Sequence, residues 1–328
     1  MRVGFLGIRH IHAYSYVRAL RILGVDDVQA WDADAAALAE FAGQSDVPAA
    51  SLTSVLTASD AVIITSTTAE HLSLVRHAAS AGLPILLEKP MAVSVQDARD
   101  IVDVCEEAGV LLMTAFPLRY SSEAAAIAAS VRGKAPGAVV SLRGVNQSVT
   151  PTRHDSWFAD PELAGGGASM DHVIHLADLY SWWLGEEPDS VRACATSTLG
   201  ATSGGVAVDS VFTVLLHYPG GTIATIDASW SRRETYPIFG TLEVDATLDD
   251  GTLTFDPFRS RVAVHGRANH DERWDLVGDD LDLAMVRDFV ECAASGRTPL
   301  ATGRHGLAAT LTTLNARDNA TWLATSTR

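Results

Sequence analysis

The first 118 residues alternate between short apolar runs and stretches in which apolar residues recur with helical spacing. We expect strands at residues 3–6, 28–32, 60–64, 83–87 and 110–115. We expect helices at residues 9–23, 35–42 and 94–109, and a further helix that carries His71 and ends by Gly82. Repeated strand–helix alternation predicts a parallel, doubly wound sheet with helices on both faces.

The pattern changes after Tyr120, where longer segments with β character are separated by turn signals such as those at 219–221 and 249–251. We expect strands at 138–149, 191–198, 206–218, 222–231 and 238–248, and helices at 123–132, 171–184, 280–295 and 304–324. The sequence thus predicts an α/β protein. A doubly wound domain over residues 1–118 precedes an α+β domain over residues 119–328, built on a large, mostly antiparallel open sheet.

Charge and composition argue against two classes of partner. The net charge of −16 at pH 7 disfavours nucleic acid and anionic membrane surfaces, and no stretch approaches the length of a membrane span. Cys105, Cys194 and Cys292 have no C-x-x-C spacing, which indicates free thiols in a reducing compartment. Because the chain also begins without a signal-like segment, we expect a cytoplasmic protein.

A strand, a glycine turn and a helix open the chain, which is typical of a dinucleotide-binding unit with pyrophosphate at a helix N-terminus. Only the first glycine of the G-x-G-x-x-G fingerprint, Gly7, is present, because Arg9 and His12 occupy the other two glycine positions. We place Gly7, Arg9, His10 and Ile11 at the cofactor, with Arg9 available to a phosphate. His10 and His12 form an H-x-H pair, but a metal site would need further ligands. We expect no bound metal.

Asp32 ends the second predicted strand. Its distance along the chain from Gly7 is near that at which an acidic residue binds the ribose hydroxyls of NAD. Ala33 follows, so no arginine is available there for a 2′-phosphate, and we expect NAD rather than NADP. The alternative is that Asp32 caps the helix at 35–42.

Glu88, Lys89 and Pro90 follow the buried strand at 83–87. Ligands of open parallel sheets bind outside the carboxyl ends of the strands. Pro90 restricts Lys89 to extended geometry, and the bond between them could also be cis. We therefore expect Lys89 where cofactor and substrate meet, the alternative being a strand-end ion pair before a turn proline.

A second candidate site follows the three glycines at 165–167. Asp171 and His175 are four residues apart and would share one helix face, so the carboxylate could prepare the imidazole for acid–base catalysis near neutral pH. His172 could lie at the edge of the same pocket. The structural alternatives are an Asp that stabilises the helix dipole and a buried His satisfied by one carboxylate.

The combination resembles the Gfo/Idh/MocA family of NAD(P)-dependent oxidoreductases, which includes glucose–fructose oxidoreductase and inositol dehydrogenase. The matching pieces, in family order, are the strand at 60–64 leading to His71, Glu88-Lys89-Pro90, Phe116 with Arg119 and Tyr120, Trp157, the glycines at 165–167, Asp171 and His175. The resemblance implies a Rossmann domain followed by an α/β domain whose open sheet commonly forms oligomer contacts, and hence a homo-oligomer, either a dimer or a tetramer.

The resemblance also implies roles, with Lys89, Asp171 and His175 on the catalytic positions. The further cofactor-binding candidates are Ser66, Thr67, His71 and Glu88, and the substrate-binding candidates are Arg119, Tyr120, His154, Trp157 and His172. The chain departs from the family pattern in the glycine fingerprint, at Thr67 where a proline is usual, and at Pro117 where an asparagine is common.

The function expected from the sequence is NAD-dependent oxidation or reduction of a secondary hydroxyl or ketone on a sugar, cyclitol or related polyol. His175 would exchange the hydroxyl proton, and Lys89 would stabilise the alkoxide. Two alternatives stay open. One is a lyase or glycoside-cleaving enzyme that oxidises its substrate transiently with tightly bound NAD. The other is a non-catalytic regulator that binds a dinucleotide or a sugar.

Overall fold

The computed structural model describes residues 1–132, 134–135, 137–197, 202–203, 206–265 and 272–323. The chain divides into two compact units. Unit 1 comprises Met1–Pro117, Glu162–Gly165 and Asp280–Thr310, and unit 2 comprises Leu118–Pro161, Gly166–Asp279 and Leu311–Arg328. The first change of unit follows Pro117, and the segment Asp280–Thr310 belongs to unit 1 again, whereas the sequence predicts one continuous second domain over residues 119–328.

Helices and strands alternate in the first part of the chain, and strands dominate the second part. The helices are α1 (His12–Ile22), α2 (Ala35–Ser45), α3 (Leu52–Ala58), α4 (His71–Ser80), α5 (Val95–Ala108), α6 (Ser122–Val131), α7 (Ile174–Leu184), α8 (Leu281–Ser295) and α9 (Gly303–Asp318). The first eight strands are β1 (Val3–Leu6), β2 (Val28–Trp31), β3 (Ala61–Ile64), β4 (Ile85–Leu87), β5 (Leu112–Thr114), β6 (Val139–Ser148), β7 (Ser190–Thr196) and β8 (Thr202–Ser203). The others are β9 (Val206–Ala207), β10 (Val211–His217), β11 (Ile223–Ser229), β12 (Gly240–Leu248), β13 (Thr252–Phe255), β14 (Arg261–His265), β15 (Glu272–Leu276) and β16 (Thr321–Trp322).

The sheet of unit 1 is parallel, with the strand order β2-β1-β3-β4-β5. Strands β1 and β3 are buried along their whole length, as expected of strands covered on both faces. The order reverses between β1 and β3, so the crevice at their carboxyl ends is where such a sheet binds ligands. The predicted doubly wound parallel sheet is confirmed.

Three helices of unit 1 differ from the prediction, and one of them, α2, continues to Ser45 instead of ending at residue 42. Helix α1 begins at His12 rather than at residue 9, because the His10 amide donates to the Thr65 carbonyl and holds the preceding residues in a loop along the end of β3. Helix α3 was not predicted; it is short, and Ser51 caps it by accepting a hydrogen bond from the Ser54 amide. Ser94 caps α5 by accepting a hydrogen bond from the Asp97 amide.

The large sheet of unit 2 has the strand order β13-β12-β6-β11-β10-β7-β16. Its pairs are antiparallel except for β6 with β11 and β7 with β16. Burial alternates along β10 and β12, so one face of the sheet packs on a core and the other is more exposed. The predicted large, mostly antiparallel sheet is confirmed.

Several boundaries in unit 2 differ from the prediction. The strand expected at 206–218 is divided into β9 and β10, because the Asp209 carboxylate turns away to bind the Gly167 and Ser169 amides. The last predicted helix, at 304–324, ends at Asp318, and β16 then pairs with β7. Residue 324 and the predicted strand end at 198 lie outside the described residues.

A π-helical turn at Ser169–Val173 precedes α7, where the sequence predicts one continuous helix at 171–184. Such single turns occur often at functional sites.

Within the described part of the chain, we find no helix with the length and apolarity that a bilayer crossing requires.

Candidate active site

Gly7 turns the chain at the carboxyl end of β1 with a φ of +78°, in the left-handed region that favours glycine. A Cβ atom built on Gly7 would lie 2.3 Å from the Cβ of Ser66, so a larger residue cannot fit there. Thr65 donates its hydroxyl to the Gly7 carbonyl at 2.6 Å. The loop after β1 and the polar residues after β3 therefore meet at the crevice between the two strands.

Asp32 lies beside this loop. Its carboxylate accepts the Ile8 amide at 2.9 Å and the Asp34 amide at 2.8 Å. The N-cap of α2 is Asp34 and not Asp32, so the alternative role of Asp32 as a helix cap is wrong. An ionised carboxylate has about four acceptor positions, which leaves Asp32 capacity for ribose hydroxyls.

Other cofactor candidates border the same crevice. Ile11 is the N-cap residue of α1 and provides no side-chain cap. Arg9 extends to within 3.9 Å of Asp34. Thr67 donates to Glu70 at 2.7 Å, and the buried His71 bonds the Met91 carbonyl through Nδ1 at 3.1 Å. Burial lowers the pKa of His71, which favours a neutral imidazole that donates from Nδ1.

The Glu88 carboxylate is the centre of a buried polar cluster after β4. Its Oε1 atom accepts the Tyr16 hydroxyl and lies 2.8 Å from Nδ1 of His12. Nδ1 of His10 is 3.9 Å away, and the two imidazole rings meet edge to face. The Oε2 atom accepts the Lys89 amide at 2.9 Å. Glu88 is 1% exposed, so these bonds replace water at its charge.

The electrostatics of this cluster favour an ion pair. Burial alone would raise the pKa of Glu88, but the charges of His10, His12 and Lys89 lower it well below the usual value. Burial opposes the charge on His12, but Glu88 outweighs burial and raises the pKa of His12. The carboxylate is therefore ionised beside an imidazole that favours its cationic form.

The same residues could hold a metal ion. Ligand atoms of His10, His12 and Glu88 lie within 4.8 Å of one another, and two imidazoles with a carboxylate are a common zinc ligand set. Glu88 is the further ligand that the H-x-H pair needs. However, the His12 nitrogen and the Glu88 oxygen bond each other, and Nδ1 of His10 accepts the His12 amide at 3.3 Å. The cluster is therefore better described as a hydrogen-bonded carboxylate.

Lys89 is 4% exposed and precedes Pro90 through a cis peptide bond, one of the two possibilities that the sequence left open. It lies at the carboxyl end of the sheet of unit 1, on the same edge as Gly7 and Asp32. A cationic side chain in such a buried position needs specific partners.

In unit 2, the carboxylate of Asp209 holds the loop after the glycines at 165–167. It accepts the Gly167 amide at 3.0 Å, and the amide and hydroxyl of Ser169 at 2.6 and 2.9 Å. A Cβ atom on Gly167 would lie 2.0 Å from the Asp209 carbonyl oxygen, so a larger residue there would displace the loop. Asp209 thereby fixes the start of the π-helical turn.

Asp171 lies in that turn and contacts residues from two parts of unit 2. Trp230 donates its indole N–H to the Asp171 carboxylate at 3.1 Å, and Nε2 of His172 lies 3.6 Å from the same oxygen. The buried His172 also lies 2.8 Å from the Ser148 hydroxyl. His175 is half-buried on the first turn of α7, after the change from π to α winding. An Asp171–His175 pair at regular α-helical spacing stays a prediction.

Arg119 forms a buried ion pair with Asp178 on α7. Its Nε and Nη2 atoms donate to the two carboxylate oxygens at 2.8 and 2.7 Å, and its guanidinium lies over the Trp182 ring. Burial raises the pKa of Asp178, while the Arg119 charge opposes the rise. This bidentate pair gives Arg119 a structural role, and contact with the substrate stays a prediction.

The other substrate candidates lie on different parts of unit 2. Trp157 is buried and stacks on Phe158, with ring centroids 4.1 Å apart. Tyr120 ends the 3₁₀ turn Pro117–Tyr120. His154 is exposed and borders a cavity of about 250 Å³, whose remaining lining residues are Val149, Glu234, Tyr236, Pro237, Ile238 and Phe239.

Five residues of these clusters were not predicted: Tyr16, Ser148, Asp178, Asp209 and Trp230. Tyr16 follows His12 by four positions, so helical spacing could have paired them. The others reach the glycine loop, Arg119, Asp171 or His172 from distant parts of the chain, and no local spacing indicates them.

The fold defines a class of protein, an α/β protein whose doubly wound parallel sheet is of the kind that binds dinucleotides. Residues 1–116 match the family model for an oxidoreductase family with an NAD-binding Rossmann fold, and residues 124–254 match that for the GFO/IDH/MocA C-terminal domain. The chain belongs to the Gfo/Idh/MocA family of oxidoreductases.

Relatives agree with this membership, and a solved structure shares the fold. The chain is 28% identical to D-apiose dehydrogenase of Paraburkholderia graminis over 93% of this chain and 82% of that protein. It is 25% identical to myo-inositol 2-dehydrogenase of Thermotoga maritima, over 77% of this chain and 75% of that protein. The structure of GenD2 from gentamicin A biosynthesis, in complex with NAD, has the same fold, with a TM-score of 0.83 and 21% identity over 97% of this chain and 93% of that chain.

Proposed function

We propose that this protein transfers hydride between NAD and a secondary hydroxyl or ketone of a sugar, cyclitol or related polyol. The observation that carries the proposal is the buried Glu88–Lys89 pair at the carboxyl end of β4. It lies on the edge of the sheet where Gly7 turns the chain and Asp32 follows β2. The named activities of the sugar and cyclitol dehydrogenases among the relatives supply the substrate class.

The residues of unit 1 fit the dinucleotide. Gly7, the first glycine of the fingerprint, makes the tight turn after β1, and its contact with Ser66 leaves room for no larger residue. The Asp32 carboxylate has acceptor capacity for ribose hydroxyls and would repel a 2′-phosphate. A relative from Haloferax volcanii, named as an NADP(+) D-xylose dehydrogenase, is 35% identical over 54% of this chain and 52% of that protein. Because this relative is named for NADP(+), the relatives do not decide the cofactor, and the proposed preference for NAD rests on Asp32 alone.

The bound cofactor supplies the hydride chemistry. During oxidation, His175 accepts the proton of the substrate hydroxyl. The Lys89 ammonium donates a hydrogen bond to the same oxygen and stabilises the developing alkoxide. Asp171 stabilises the imidazolium that forms. The assignment of these residues to one hydroxyl follows from the family positions that they occupy.

A panel of pentoses, hexoses, cyclitols and anhydrosugars, monitored by NADH absorbance, tests the proposal. We expect NAD-dependent turnover of at least one panel member. The Lys89→Ala and His175→Ala variants should lose at least about 100-fold in kcat, because proton handling typically contributes 10²–10⁴-fold. Substrate KM should change much less.

Each variant has a matched control in the chain. Lys134 is paired with Asp250, and the exposed His217 is paired with Asp189. Lys134→Ala and His217→Ala should retain the turnover of the wild type. If the Lys89 and His175 variants turned over as fast as these controls, the assignment would be wrong.

A second candidate is favoured by one relative. The chain is 25% identical to a protein of Escherichia coli named 2,7-anhydro-N-acetylneuraminate hydratase, over 65% of this chain and 59% of that protein. Transient oxidation of a hydroxyl acidifies the neighbouring C–H and permits elimination, after which the hydride returns to the substrate. A product formed without net NADH would favour this route over the dehydrogenase.

A further inference from the structure

A histidine stands where the dinucleotide fingerprint has its third glycine, the one that allows close packing of helix and strand. In this chain α1 begins at that residue, His12, and its imidazole lies against the Glu88 carboxylate at 2.8 Å. The first turn of α1 thus contacts the residue that follows β4 through a hydrogen bond.

Tyr16 adds a second bond from the same helix face. It lies four residues after His12, is fully buried, and donates its hydroxyl to the same Glu88 oxygen. A phenol at a helix–sheet interface needs such a partner, because an unpaired buried hydroxyl is costly.

The other oxygen of Glu88 accepts the Lys89 amide at 2.9 Å. One carboxylate therefore holds two side chains of α1 and the backbone of Lys89 at once. Bonds to an ionised acceptor are stronger than those between neutral groups, so this arrangement restrains the start of the cofactor helix and the Lys89 backbone together.

We propose that His12 and Tyr16 are positioning residues: by bonding Glu88, they fix the positions of the cofactor loop and of Lys89. In the usual fingerprint, the third glycine sets the packing of this helix on the sheet, and here the two bonds to Glu88 replace it. The proposal rests on the proposed function for its cofactor. It explains how a chain with a bulky residue in the fingerprint retains the loop, since the side chain of His12 bonds Glu88 rather than separating helix and sheet.

Binding of NAD⁺, measured by calorimetry at one pH, tests the proposal. Tyr16→Phe and His12→Ala should each weaken binding about tenfold, the loss of one bond to a charged group. His12→Asn places an amide donor near the position of Nδ1 and should restore binding to within about threefold of the wild type. Tyr14→Phe, on the same helix, should bind as the wild type does.

Hydrogen exchange of the Lys89 amide tests the same role without cofactor. We expect exchange about tenfold faster in His12→Ala and Tyr16→Phe than in the wild type, since the carboxylate that accepts this amide loses a restraint. His12→Asn should exchange slowly again, which a loss of general packing would not produce.

Three results would overturn the proposal. The first is unchanged Lys89 exchange in both variants, and the second is a His12→Asn variant no better than His12→Ala. The third is micromolar binding of Zn²⁺ by the wild type that His12→Ala abolishes, which would make the cluster a metal site. If the wild type bound no dinucleotide while Lys89 exchange still responded to the variants, only the proposed function would fail.

Discussion

Trp230 donates its indole N–H to the carboxylate of Asp171 at 3.1 Å, and this bond joins the residue after β11 to the π-helical turn before α7. The two residues are 59 positions apart in the chain. The bond orients a carboxylate that the family resemblance assigns to catalysis.

Replacing Trp230 by Phe keeps an aromatic ring among its buried neighbours Ala159, Ala168 and Val208 but removes the N–H. Loss of one hydrogen bond to a charged group should lower kcat about tenfold. Trp322→Phe, at an exposed position, is the control and should leave kcat unchanged. Equal kcat in both variants would show that the Trp230 hydrogen bond to Asp171 does not contribute to catalysis.

Asp209→Asn should destabilise the glycine loop. The amide group retains one oxygen for the amides of Gly167 and Ser169 and turns an N–H₂ group toward a donor-rich pocket. We expect a loss of about 1–3 kcal/mol in the free energy of unfolding, measured with urea. The half-buried Asp227 on β11 offers a control, Asp227→Asn, and a loss no larger than that of the control would contradict the role of Asp209.

Asp32 should decide between the two dinucleotides. We expect the wild type to bind NAD⁺ more tightly than NADP⁺, because a carboxylate repels the 2′-phosphate. Asp32→Ala should lower the ratio of the NADP⁺ dissociation constant to the NAD⁺ dissociation constant by at least about tenfold, as measured by calorimetry. Tighter binding of NADP⁺ by the wild type would contradict the assignment.

The imidazole of His12 should titrate above the ordinary histidine pKa of about 6.5. Glu88 and Asp282 raise this pKa and Lys89 lowers it, and the rings of His10 and Tyr16 also contact the imidazole. Burial lowers this pKa, but the ion pair with Glu88 outweighs burial. An NMR titration of the ring should show the upward shift, and Glu88→Gln should reverse it.

Stability should follow the same titration. A histidine whose pKa is raised in the folded state stabilises the fold fully below its unfolded pKa and loses this contribution as pH rises through the folded value. The free energy of unfolding should therefore fall as pH rises above about 6.5 in the wild type. This part of the slope should be absent from His12→Asn, and its persistence there would assign it to another group.

Local patterns were sufficient to predict the parallel sheet. Its strands are short, buried apolar runs such as Val3–Leu6, each followed by a turn and a helix. The position of Lys89 at a strand end also follows from local sequence, because the apolar run stops at Leu87.

Contacts between distant residues could not be predicted. Glu88 meets His12 and Tyr16 across 76 and 72 positions, and the bidentate pair of Arg119 with Asp178 spans 59. The π-helical turn was not predicted, because the apolar spacing of α7 after it fits an ordinary helix that starts earlier.

Transfer of a deuterium atom tests hydride transfer to NAD most directly. A polyol that the panel identifies as a substrate is labelled with deuterium on the reacting carbon and incubated with NAD⁺ and the wild type. We expect the deuterium to appear on the nicotinamide ring, one atom for each ketone formed, and Lys89→Ala and His175→Ala to slow its transfer. Deuterium that stays on the substrate, or returns to a dehydrated product without net NADH, would contradict this expectation.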